Sequence, residues 1–86
     1  MRLEGWVESS TPLPMYEGMD VRMVHLRYWG CTGLYTAAFT FYADIARKAA
    51  SFYVGDKVCI FFDIEAIKGK MYNHIKARNI ELCIDE

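Results

Sequence analysis

The chain has 86 residues, a formal net charge of −1, 53% hydrophobic residues and 15% aromatic residues. That length fits a single domain, that apolar content excludes a disordered chain, and near-neutrality excludes a protein that coats DNA by bulk positive charge. No run of about 18 apolar residues marks a membrane-spanning helix, and an N-terminus interrupted by Glu4 and Glu8 does not read as a secretory leader, so the expected location is the cytoplasm, with no membrane partner.

Leu3 to Glu8, or a little beyond, reads as a first strand, in which Leu3, Gly5 and Val7 alternate with Glu4, Trp6 and Glu8. A glycine inside such a run suggests a bend of the kind barrels need. Thr11-Pro12-Leu13-Pro14 reads as a loop that continues to about Gly18, because two prolines so close do not both fit a central strand. A second strand is expected from about Met19 to Trp29. Val24, Leu26 and Tyr28 share one face and Met23, His25, Arg27 and Trp29 the other; both carry apolar groups, so the alternation leaves the inward face open. Gly30-Cys31-Thr32-Gly33 predicts a tight hairpin into a third strand, Leu34 to Tyr42. There Tyr35, Ala37, Phe39 and Phe41 form the expected core face, while Ala38, Thr40 and Tyr42 form a face available to a ligand.

Ile45, Ala49 and Phe52 recur at helical spacing behind Asp44, a good capping residue, and predict a helix from Asp44 to Tyr53. Val54-Gly55-Asp56-Lys57 predicts a turn. A fourth strand, Lys57 to about Ile67, sets Val58, Ile60, Phe62 and Ile64 against Cys59, Phe61, Asp63 and Glu65. Lys68-Gly69-Lys70 predicts the turn to a fifth strand, Met71 to Leu82, in which Asn73, Ile75 and Ala77 alternate with Tyr72, His74, Lys76 and Arg78. The expected architecture is all-β with one short helix: a five-stranded OB-fold barrel ordered strand, strand, strand, helix, strand, strand. Such a small Greek-key barrel often carries nucleic acid or sugar on its open face.

Three short motifs lie in the second half of the chain: Phe41-Tyr42-Ala43-Asp44-Ile45, Val54-Gly55-Asp56-Lys57-Val58, and Asn73-His74-Ile75-Lys76-Ala77-Arg78-Asn79-Ile80. In these the chain resembles the bacterial single-stranded DNA-binding protein (SSB) family, in particular short members without a tail. The resemblance implies binding of single-stranded DNA with little sequence preference and assembly into a dimer or tetramer, and the expected place is replication, repair or a mobile element. It assigns to Tyr42 the family's position for a base-stacking aromatic. Thr36 stands where a tryptophan is common in the family, Lys68-Gly69-Lys70 replaces a longer loop, and the connection between the second and third strands is cut to a few residues. The sequence ends at Ile84-Asp85-Glu86, where the family continues into an acidic tail, so a smaller site and no tail-borne recruitment are expected.

Binding a single strand takes cations along the backbone and aromatic faces for the bases. Trp29, Tyr42 and Tyr72 are the expected platforms. Arg27, Lys68 and Lys70 are the expected phosphate contacts, extended by Lys76 and Arg78 and by the Thr40 hydroxyl; residues 68–78 contain no acid. The expected partner is single-stranded DNA, with RNA as an alternative. The competing reading closes the barrel ends with Trp29 and Tyr72 and uses the lysines to deter strand pairing, leaving a protein–protein assembly module. No enzyme is expected. His25 and His74 lack a metal-ligand spacing, Asp63 and Glu65 fall at i, i+2 as alternating strands routinely place acids, and no phosphate-cradling glycine motif occurs. Cys31, Cys59 and Cys83 form neither a CxxC pair nor a disulfide framework. They are expected to be inert thiols, Cys59 an apolar filler, and neither metal nor cofactor is implied.

Overall fold

Alternating apolar and polar residues carry the chain into five strands, and a computed structural model describes residues 1–66, 68–69 and 73–83. The elements are β1 (Arg2–Tyr16), β2 (Met19–Gly30), β3 (Gly33–Tyr42), α1 (Ala43–Ala49), β4 (Lys57–Ala66) and β5 (Asn73–Leu82). All strand pairs are antiparallel and form one sheet in the order β3-β2-β1-β4-β5. The expected strand and helix order is met. Closure into a barrel is not: β3 and β5 are the two edges of the sheet, and among the described residues no hydrogen-bonded ladder joins them. Among the described residues no helix is long and apolar enough to cross a membrane.

The clearest departure from the sequence pattern is β1. Its residues run through Pro12 and Pro14 as one strand and hold their register with β2 as far as Leu13, where Pro12 faces Arg22 and Leu13 faces Val21; a register shift follows between Leu13 and Tyr16. The physical reason is that β1 changes partners along its length. Arg2 to Trp6 pairs with β4 on one side, whereas beyond Val7 only the β2 side is paired among the described residues. The proline rule applies to central strands, and here the missing N–H groups fall on an edge. A register shift between Val7 and Ser9 marks a bulge at this change of partner. The β1–β2 connection is then a two-residue turn, Glu17-Gly18, with φ of 48° and 77°; two successive positive values are the primed geometry that suits a twisted hairpin.

The core consists of Val7, Val24, Leu26, Phe39, Phe41, Val58, Ile60 and Ile80, with Ala46 and Ala49 of α1 against them. This settles the inward face of β2 as that of Val24 and Leu26, and it turns Arg27 and Trp29 outward. In β3 only the second half of the expected core face is sealed: Phe39 and Phe41 are buried, whereas Tyr35 is exposed. The Phe39 and Phe62 rings lie 5.3 Å apart, so the sheet curls until β3 faces β4 and β5 across the interior. Gly5 backs directly onto β2, where a Cβ would run into the Arg27 carbonyl oxygen.

α1 is shorter than its apolar spacing suggests, ending at Ala49 rather than Tyr53. Ile45 and Phe52 pack only partly against the core, and the helix rests on Ala46 and Ala49, whose small side chains let it lie close to the strands. Asp44 does not cap it: Tyr42 holds the N-cap position without a side-chain bond, and Asp44 pairs with Arg47 instead. Ala43 makes the corner between β3 and the helix at φ 56°, a left-handed conformation that costs a non-glycine residue about 1 kcal/mol. The following turn docks on β1, with the Gly55 N–H donating to the Val7 carbonyl at 2.8 Å and the Val7 N–H donating to the Asp56 carbonyl at 2.9 Å.

Candidate nucleic-acid interface

Cross-strand partners share a face, so the registers assign the outward side chains directly. Across β4, β1, β2 and β3, the outward row is Lys57, Trp6, Arg27 and Thr36. Successive rows along the β1–β2–β3 part of the sheet are Ser9, His25 and Ala38, then Thr11, Met23 and Thr40. The Arg27 guanidinium lies 3.5 Å from the Glu8 carboxylate, which also accepts a 2.9 Å bond from the Thr36 hydroxyl. The Lys57 ammonium lies 5.9 Å from the centre of the Trp6 ring. Trp29 is 69% exposed and lines a shallow cleft with Trp6 and Lys57. Trp6 belongs to this surface although it is absent from the residues expected from sequence. The signal was present: alternation sets Trp6 outward with Glu4 and Glu8.

A second site lies at the open seam of the sheet. Ala38, Thr40 and Tyr42 of β3 and His74, Ile75, Lys76 and Ala77 of β5 line a cleft of about 350 Å³, with Ile45 of α1 beside them. Tyr42 is about half exposed, and its ring stands edge-on to Tyr16 from the β1–β2 hairpin at 6.5 Å. It therefore offers an aromatic face beside a lysine, which is the pairing a stacked, charged strand requires. Between the two sites His25, half buried, shares a 2.9 Å hydrogen bond with the Ser9 hydroxyl.

The expected residues thus divide. Thr40, Tyr42 and Lys76 come together at the seam, whereas Arg27 and Trp29 stand on the β2 side of the same face. Arg78 does not join either group. It falls at the register shift opposite Phe61 and Phe62, and its guanidinium donates to Asp63, holding that carboxyl below the usual range. Lys68 is exposed in the turn after β4. Lys70 and Tyr72 lie outside the described residues.

Sequence reasoning also missed a meeting of thiols on another part of the sheet. Cys59 and Cys83 are neighbours across β4 and the end of β5. Burial, reinforced by a hydrogen bond to Cys59, pushes the Cys83 thiol up to about 11. The pairing register that joins them has no signature in cysteine spacing. No family model, curated protein or solved structure matches the chain.

Proposed function

We propose that the protein binds single-stranded nucleic acid, DNA before RNA, with little sequence preference. The strand crosses the outer face of β2 and β3 and enters the cleft between β3 and β5. The observation that carries this reading is the seam cleft, where a half-exposed Tyr42 stands with Thr40 and Lys76 on two strands that leave room between them. Arg27, Trp29 and Trp6 extend the path as a cation and two further aromatic faces. Stacking contributes roughly 1–3 kcal/mol per base and works with every base, which is why little sequence preference follows.

We read the sheet as a partly open OB-fold. Its order, β3-β2-β1-β4-β5, is that of a five-stranded Greek-key barrel cut between β3 and β5. The role is binding rather than catalysis, in the cytoplasm, in replication or repair, and as a homodimer or homotetramer. A second reading, an assembly module without nucleic acid, has its own support. Among the described residues both edges of the sheet are unpaired, and the β1–β2 hairpin carries exposed Met15 and Tyr16 at its tip.

Fluorescence titration with poly-dT at two salt concentrations, following Trp6 and Trp29, separates the two. Nucleic-acid binding gives saturable quenching that weakens with salt, with a slope of about −0.7 per phosphate contacted. A flat titration at low salt sinks that reading and leaves assembly, whose own signature is a concentration-dependent mass in sedimentation.

A further inference from the structure

Strand pairing brings three metal-ligating side chains from distant parts of the chain to one spot, on residues that the nucleic-acid reading does not use. Glu4 of β1 is the cross-strand partner of Cys59 of β4, so both side chains stand on one face. Cys83 follows β5, and its N–H donates to the Lys57 carbonyl at 2.9 Å, which holds it diagonally beside Cys59. The Cys59 Sγ lies 3.6 Å from the Glu4 Oε1, and one ligand atom from each of Glu4, Cys59 and Cys83 falls within 4.8 Å of the others. The cluster opens into a cleft of about 270 Å³ that Glu81 also lines. A cysteine serving only as apolar filler would face aliphatic neighbours. The Cys59 sulfur instead meets a carboxylate and the Arg2 guanidinium, which donates to it at 3.5 Å.

We propose that Glu4, Cys59 and Cys83 form a zinc(II) site with the fourth coordination position open to water or an external ligand. Tetrahedral zinc holds sulfur at about 2.3 Å and carboxylate oxygen at about 2.0–2.2 Å, which sets the sulfur–oxygen edge of the tetrahedron at roughly 3.6 Å. The Cys59–Glu4 separation of 3.6 Å already matches that edge. Two soft thiolates and one hard carboxylate make a donor set suited to zinc and poorly suited to calcium or magnesium. Charge balances as well. Binding releases both thiol protons to solvent, leaving two thiolates and a carboxylate, and these three negative charges face divalent zinc and the Arg2 guanidinium. Ligands from β1, β4 and the end of β5 make the metal a cross-link between the middle of the sheet and one edge, so zinc raises the stability of the folded state.

The test is titration of the reduced, full-length chain with Cd2+, read as thiolate-to-metal charge-transfer absorption, followed by displacement with Zn2+. The expected result is one metal per chain. Affinity falls at least tenfold in Cys83→Ser and in Glu4→Gln and is unchanged in Cys31→Ser, and Zn2+ raises the thermal midpoint of the native chain but not of Cys83→Ser. Absence of the charge-transfer absorption in the native chain overturns the proposal. So does absorption that persists undiminished in Cys83→Ser. Glu4 is exposed, so Glu4→Gln is expected to fold regardless, and undiminished affinity in that variant removes the carboxylate from the site and the proposal with it.

Discussion

The two edges of β3 meet different neighbours. Toward β2 it makes an uninterrupted ladder from Gly30–Gly33 to Val21–Tyr42 without a register slip. Toward β5 it makes no ladder among the described residues, only packing: Ala77 of β5 lies against the core that Phe39 and Phe41 share, and Phe39 also meets Phe62 of β4. The sealed edge follows from a local hairpin whose two-residue turn fixes the register at once. The open edge joins residues far apart in sequence, where closure must overcome a larger loop entropy and has only side-chain contacts to do it. The difference shows where rigidity and accessibility separate within one strand: inward Phe39 and Phe41 lock β3 in place, while outward Thr40 and Tyr42 line the cleft at the seam.

That contrast can be broken from the inside. Phe41 is fully buried, and Phe41→Ala is expected to cost about 3–5 kcal/mol in chemical denaturation, loosening α1 and the seam together. Tyr42→Ala, one residue on, sharpens the contrast. It should leave the denaturation midpoint nearly unchanged and weaken poly-dT binding by about 1–3 kcal/mol; equal binding by the variant removes Tyr42 from the interface. Ala43→Gly relieves the left-handed corner after β3 and is expected to stabilise by about 0.5 kcal/mol, read as a small rise in thermal midpoint. The smallest effect is electrostatic. The Arg78 bond lowers the Asp63 carboxyl, so its contribution is present above the ordinary carboxylate range and is lost as pH falls through the lowered value. NMR titration of the Asp63 carboxyl should show the depression and lose it in Arg78→Ala. Both groups are solvent-exposed, so global stability should barely respond.

Much of this was legible in the sequence because it is local. Alternation gives the inward pair Phe39 and Phe41, the spaced glycines give the β2–β3 hairpin, and Val58 to Phe62 gives the buried half of β4. What the sequence hides is which edge of a strand has a neighbour. Pro12 and Pro14 read as a loop because nothing in their own neighbourhood says that β1 loses its second partner after Val7. The same blindness hid Trp6 beside Arg27 and Cys59 beside Cys83, since both meetings depend on register between strands distant in sequence. Helix length failed for another reason: Ile45, Ala49 and Phe52 do make apolar contact, but Phe52 does so from the turn after α1 rather than from within it.

The prolines of β1 have one more consequence. A sheet with exposed rims is a template, and at high local concentration identical chains can stack rim to rim into fibrils. Beyond Val7 the outer rim of β1 lacks the donors at Pro12 and Pro14 that such stacking would need. Growth by strand addition is therefore blocked along the longest strand of the molecule and left to the rims that flank the cleft. Anything that occupied the cleft would compete with such growth, so the protein with its cleft empty should be the form most prone to self-association.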